Sequence, residues 1–193
     1  MLIHKMTVDE AYAPDGSIKE SDVKFFKTTD GSNAAYIKYN GKIFRVRVET
    51  LVYNDKGQIF AWILDKPTSA GTMYKIPGGS VEPNKPFIDQ AVSEIHEEAR
   101  FTVDNMVFTG IHYLRYYDTS KLTQAQRDKL AKQPIQNDGM VSFVYVGHYT
   151  GKFTGKIDPK DMDDIYKYGK WHDVKAIPLI EEHLRALRLN KLA

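Results

Sequence analysis

The stretch from Pro77 to Phe101, PGGSVEPNKPFIDQAVSEIHEEARF, constrains the chain more than any other, because it joins a glycine turn to an amphipathic helix that carries clustered carboxylates. Gly78 and Gly79 follow an apolar Tyr-Lys-Ile-Pro segment, and adjacent glycines let the backbone take φ > 0 and approach a ligand closely, with carbonyls exposed. Asn84 can cap a helix, and Pro86 suits its first turn, where the missing amide has no helical partner to lose. The periodicity predicts a helix to about Arg100. At about 100° per residue, Ile88, Ala91, Val92, Ile95 and Ala99 share the stripe that a surface helix buries. Glu94, Glu97 and Glu98 form the neighbouring arc, where like charges at this spacing repel by roughly 0.2–0.5 kcal/mol per pair. A hard cation reverses that cost, and Mg²⁺ prefers carboxylates with a backbone carbonyl, water and substrate phosphates. For the three glutamates alone, a solvated acidic helix face is the competing reading.

The rest of the chain reads as a platform for this stretch. Val23 to Thr29, Ala34 to Tyr39 and the run KIFRVRVETLVYN from Lys42 read as consecutive antiparallel strands, separated by the tight-hairpin pairs Asp30-Gly31 and Asn40-Gly41. Pro14 to Ser17 reads as a turn in a weakly periodic lead-in. In RVRVE, Arg45, Arg47 and Glu49 share one face and Val46 and Val48 the other, so the arginines either line a solvated face or meet phosphate. QIFAWIL is a buried strand, followed by a polar loop that contains Lys66. Beyond the helix come a strand from Asn105 to Asp118, a short helix from Thr123 to Gln133, and a strand from Gly139 to Tyr149. Asp158 to Lys170 is an acidic loop or short helix. KWHDV then makes a last strand, and an amphipathic helix begins near Pro178 with Leu179, Ile180, Leu184, Leu187 and Leu189 inward. Tyr113, Tyr116, Tyr117 and Tyr145 are strand aromatics that serve either as core and cross-strand partners or as base-stacking surfaces. His172 and His183 read as ordinary half-buried or surface histidines.

The glycine turn and the helix together resemble the Nudix box, whose pattern is Gly, five residues, Glu, seven residues, then Arg-Glu-aliphatic-x-Glu-Glu-x-Gly-aliphatic. Gly79 stands at the box glycine, and Glu94, Ile95, Glu97, Glu98 and Phe101 stand at the later box positions; Gly78 and Glu82 fit the wider Gly-Gly-x-Val-Glu form. Lys85, Ser93 and Arg100 replace the first glutamate, the arginine and the late glycine. Lost together, that Glu and Arg are readable as two ends of one structural ion pair, since deleting both partners costs less than stranding one. The resemblance implies an α/β fold, a Nudix-like α/β/α sandwich with a mixed sheet, here with an N-terminal antiparallel β appendage at residues 1–41 and a catalytic domain at 42–193. It implies Mg²⁺, or Mn²⁺, held by the Gly78 carbonyl, Glu94, Glu97 and Glu98, with Glu97 or Glu98 also acting in catalysis. A further carboxylate often precedes the last strand in this family; Asp161, Asp163 and Asp164 stand there, with Asp163 and Asp164 favoured. The implied substrate-binding set is Arg45, Arg47, Lys66, Tyr113, Tyr116 and Tyr117.

The implied reaction is hydrolysis of a nucleoside diphosphate linked to another moiety, releasing a nucleoside monophosphate. Ile63 and Leu64 stand where triphosphate-cleaving members often carry arginine, and the usual ADP-ribose proline and coenzyme A signature are missing. Nucleotide sugars, dinucleotides, dinucleoside polyphosphates and capped RNA ends stay open as substrates. The alternative is a catalytically impaired nucleotide-binding or regulatory module, or an interaction protein built on the N-terminal strands, for which a homodimer contact is one role.

With 193 residues, 42% hydrophobic and 27% charged, the chain has the composition of a globular domain. It has no cysteine, so disulfides and thiol chemistry are excluded. A net charge of +2 gives no basis for nonspecific nucleic-acid binding. No signal-like segment or long apolar run suggests secretion or membrane spanning, and a cytoplasmic location is the expectation.

Overall fold

The longest alternating segment, KIFRVRVETLVY, becomes strand β3 (Lys42–Tyr53), and the fold is assembled along its two edges. These observations come from a computed structural model, which describes residues 18–29, 31–66, 72–117, 122–156 and 164–192. On one edge, β7 (Gly139–Lys152) runs parallel to β3 from Phe44 opposite Gly139 to Tyr53 opposite His148. Strand β6 (Phe101–Tyr116) pairs antiparallel outside β7. The other edge of β3 is shared. Strand β2 (Asn33–Tyr39) pairs with its first residues, and β4 (Ile59–Ile63) meets Tyr53. Between them lies the glycine turn: the Val48 amide donates to the Gly79 carbonyl at 3.0 Å, the Thr50 amide donates to the Pro77 carbonyl at 2.8 Å, and Ser80 bridges to Arg47. Strand β1 (Lys24–Lys27) extends the sheet beyond β2, while β5 (Tyr74–Lys75) and β8 (Lys170–His172) pair with β4.

The helices are α1 (Phe87–Ala99), α2 (Gln124–Ala131), α3 (Asp164–Tyr168) and α4 (Glu181–Leu189). Because side chains alternate across a strand, Val46, Val48, Phe143 and Tyr145 pack in one cluster with Phe87 and Ala91 of α1. Leu51, Val144 and Val146, of opposite parity, pack with Ala186 and Leu187 of α4. The two helices thus cover opposite faces of a mixed sheet, the α/β/α sandwich that the resemblance implies. Ile165 of α3 joins Ile95 and Ala99 of α1 over Val52 and Phe60. Ile95 is fully buried there, so its truncation to Ala costs about 2–5 kcal/mol. From the expected appendage, β1 and β2 continue the sheet, and Ile18, Ala35 and Ile37 join the core cluster beneath α1. The Pro14 to Ser17 turn lies outside the described residues.

Several boundaries differ from the sequence expectation. Helix α1 is capped by Pro86 without a side-chain bond, while Asn84 takes a left-handed turn with φ 63°. Its buried stripe is Phe87, Gln90, Ala91, Ile95 and Ala99, and Ile88 is exposed, because the larger Phe87 ring takes the sheet-facing place, edge-on to Phe143 at 4.9 Å. Arg100 ends the helix at φ 59° and ψ 36°, the left-handed cap that glycine usually supplies, and the chain turns at once into β6, four residues before the expected start. Within β6, Asn105 and Gly110 also have positive φ and the pairing slips at three places, so bulges break the alternation there. Helix α4 buries Glu182, His183, Ala186 and Leu187, whereas Leu189 is exposed. His183 turns inward because it has polar partners in the core.

Candidate functional site

The glycine turn is built for close approach. Neither Gly78 nor Gly79 is among the residues with positive φ, so what glycine supplies here is room. A Cβ on Gly78 would stand 2.3 Å from the Val48 carbonyl oxygen, and one on Gly79 would stand 2.2 Å from Glu94 Oε1. The turn is therefore wedged between the β3 backbone and the Glu94 carboxylate. The Gly78 amide donates to Glu98 Oε2 at 2.8 Å, so two carboxylates one helical turn apart on α1 meet the two glycines. Gln90 Nε2 donates to Glu94 Oε1 at 3.1 Å. Burial, and then the charge of Glu97, raise the Glu94 pKa against the Gln90 hydrogen bond and the nearby Arg47 and Lys85. Among the described residues no ion pair forms at Glu94. A carboxylate crowded and partly desolvated in this way gains from a cation placed against it.

Among the described residues, no three His, Asp or Glu side chains gather closely enough to hold an ion unaided. Two carboxylates, Glu94 and Glu98, do meet the glycine turn, and one or two carboxylates with several retained waters are what Mg²⁺ commonly takes. The residues present therefore fit a hard divalent cation. The two altered box positions touch: Lys85 Nζ donates to Ser93 Oγ at 2.7 Å.

The odd-numbered face of β3 departs from the solvated-face reading. Glu49 is 6% exposed, and Arg115 Nη2 donates to its Oε1 at 2.6 Å and to Ser142 Oγ at 2.8 Å. His183 Nε2 lies 3.4 Å from the other Glu49 oxygen. The Tyr74 hydroxyl accepts the Ile180 amide at 3.2 Å and stands 2.5 Å from His183 Nδ1. Donation of the Tyr74 proton to Nδ1 leaves Nε2–H facing Glu49, a tautomer assigned from this network. Burial alone would raise the Glu49 pKa, but Arg115, followed by His183, outweighs it and holds the carboxyl well below the usual range.

Arg47 Nη2 donates to the Gly78 carbonyl at 2.7 Å. Arg45 donates to Ser80 Oγ at 3.1 Å and to Gln133 Oε1 at 3.4 Å, and Gln133 also accepts from the Tyr36 hydroxyl at 3.2 Å. Half-buried Tyr117 lies in the field of Arg45, Arg115 and Arg47, which lower its pKa against a larger rise from burial. Thus Gly78, Glu94, Glu98, Arg45 and Arg47 converge on the turn. Tyr113 does not offer a free ring; it is 5% exposed in the core, with the Arg115 guanidinium 5.1 Å from its ring centre and its hydroxyl pushed up to about 12 by burial. Tyr116 packs edge-on to Phe44 under Lys42 Nζ. Lys66 is exposed. The backbone of Asp164 opens α3, beside Ile165, which packs on α1; Asp161 and Asp163 lie outside the described residues.

Comparison with known proteins follows this geometry. A family model described as NUDIX domain matches residues 43–190. The fold is similar to that of a MutT NUDIX hydrolase from Burkholderia pseudomallei, with a TM-score of 0.48 and 18% identity over 77% of this chain and 98% of that one. It is also similar to a NUDIX hydrolase from Nitrosomonas europaea, with a TM-score of 0.44 and 15% identity over 76% of this chain and 87% of that one. For a Bacillus subtilis pyrophosphohydrolase the values are 0.43 and 14%, over 87% and 96% of the two chains. A comparison with curated protein sequences finds no match.

Proposed function

The chain belongs to the NUDIX family of pyrophosphohydrolases, and from that premise we propose that it hydrolyses, with Mg²⁺, a nucleoside diphosphate linked to another moiety. The observation that carries this reading is that Glu98 and Glu94, one turn apart on α1, meet Gly78 and Gly79 respectively; the Gly78 carbonyl is the third oxygen this reading assigns. A hard divalent cation held by these oxygens supplies charge neutralisation of the diphosphate and activation of water. Glu98 also fixes the turn by accepting the Gly78 amide, which ties the turn to α1. Glu97, on the same helix, takes a proton from the attacking water, alone or with a carboxylate from the segment around Asp163 and Asp164. Bond cleavage gives a nucleoside monophosphate and a phosphorylated remainder.

Incubation with a panel of nucleotide sugars, dinucleotides, dinucleoside polyphosphates and capped RNA, with product analysis, tests this. Monophosphate release that requires Mg²⁺ and stops with EDTA is the expected result. Nucleotide binding without turnover across the panel would refute hydrolysis and favour a binding module. On a confirmed substrate, Asn variants of Asp161, Asp163 and Asp164 locate the base. A loss in kcat with little change in KM at one of them implicates that residue, and unchanged kcat in all three leaves the role to Glu97.

A further inference from the structure

Arg45 and Arg47 are half-buried cations that form no ion pair among the described residues. Among the described residues neither has a carboxylate within 4.0 Å, and Glu49, two residues on, is already paired with Arg115. Among the described residues Arg45 meets the neutral oxygens of Ser80 and Gln133. Arg47 Nε is shut off from solvent and has no acceptor among the described residues, so its fork holds an unused donor. Among the described residues its hydrogen bond goes to the Gly78 carbonyl at 2.7 Å, the oxygen assigned above to a divalent cation.

We propose that Arg47 is an exchangeable cation. It holds the Gly78 carbonyl while no metal ion is bound, and it passes, beside Arg45, to a phosphoryl oxygen of the substrate when an ion takes that carbonyl. The inference rests on the metal assignment under the proposed function. Two cations on one oxygen repel, so ion binding weakens the bond between Arg47 and Gly78. A phosphoryl group offers acceptors to both the Nη and the stranded Nε of a planar guanidinium, which a carbonyl does not. Metal and phosphate binding are then coupled, and by linkage each strengthens the other by the same factor. Arg45, next along the strand face and held by Ser80 of the same turn, supplies the second positive charge.

The test is a set of calorimetric titrations with Mn²⁺ alone, then with pyrophosphate with and without Mn²⁺, on wild type, Arg47→Met and Glu98→Gln, with thermal melts to confirm folding. Arg47→Met is expected to bind Mn²⁺ alone at least threefold more tightly. It should bind pyrophosphate at least tenfold more weakly with Mn²⁺ present, and lose most of the wild-type enhancement of pyrophosphate binding by Mn²⁺. Arg47→Gln keeps an amide donor for Gly78 while dropping the charge, and should move both affinities in the same directions; it serves if the Met variant does not fold. Mn²⁺ affinity that is unchanged or weaker in these variants, while Glu98→Gln loses Mn²⁺, would overturn the exchange and leave the metal assignment standing. Mn²⁺ binding that is indifferent to Glu98→Gln would overturn both.

Discussion

Replacing Arg115 by Met tests whether the buried pair with Glu49 is a structural requirement. The substitution keeps an unbranched apolar stem and removes the guanidinium 2.6 Å from a carboxylate that is 6% exposed. Among the described residues Glu49 would retain His183 at 3.4 Å and the weaker field of Arg47, and removing one partner of a buried pair costs about 3–5 kcal/mol. At roughly 2–4 °C per kcal/mol for a domain of this size, Tm should fall by about 6–20 °C. The double variant Arg115→Met with Glu49→Leu strands no charge and leaves only neutral groups on His183 and Ser142 unpaired, at about 1 kcal/mol each, so it should recover part of the loss. The pH dependence supplies a second check. In wild type the Glu49 pKa is depressed, so its contribution is complete above the unfolded value near ~4.3 and is lost as pH falls below that value. In the variant, burial dominates and favours the protonated acid, so the penalty shrinks as pH falls. Urea melts from pH 7 to pH 5 should show the gap to wild type narrowing. A gap below about 1 kcal/mol at pH 7, a gap constant with pH, or a double variant no better than the single would refute the reasoning.

Glu98→Gln should cut turnover at least a hundredfold in steady-state assays while leaving Tm near or above wild type, since Gln keeps an oxygen for the Gly78 amide and drops one crowded charge. Because Lys85 and Ser93 are 2.7 Å apart, Ser93→Arg alone should destabilise, whereas Lys85→Glu with Ser93→Arg should show favourable coupling of about 0.5 kcal/mol or more in a double-mutant cycle. Hydrogen bonds from His148 to Asp55 and then to Asp104 outweigh desolvation and raise its pKa. Its contribution should be full below the unfolded value near ~6.5 and lost as pH rises through the folded one, and NMR titration of Asp55→Asn should show the His148 pKa falling.

The elements and their faces were legible because they follow from local rules: the Asn40-Gly41 hairpin, the parity of Val46 and Val48, and the period of Ala91, Ile95 and Ala99 recur in the structure, while the layer order came with the resemblance. The meeting of Glu94 and Glu98 with the glycine turn was legible through the resemblance to the Nudix box, since for the glutamates alone a solvated helix face competes. The Glu49 network was not, because its members come from β3, β5, β6, β7 and α4, and no period connects positions so far apart. One signal was present. The face that begins with Arg45 and Arg47 continues into buried Leu51, which puts Glu49 at the border of the core rather than in water. Helix boundaries shifted where one large or polar side chain found a better place than its neighbours, as Phe87 did over Ile88 and His183 did over Leu189. The end of α1 near Arg100 was legible from the apolar period, but its left-handed cap was not, because an arginine there carries no signature, whereas the glycine it replaces would have.

The in-plane docking of residues 77–80 gives the site its own reporter. Two amides in the middle of β3, Val48 and Thr50, have as acceptors the carbonyls of Gly79 and Pro77, whereas sheet pairing on the other edge is with β7 and survives if the turn lifts away. Deuterium uptake at these two positions therefore measures how often the turn detaches, separately from unfolding of the sheet. A cation that bridges Gly78 to α1 should slow uptake at both amides together, with no comparable change at Val144 and Val146 on the neighbouring strand.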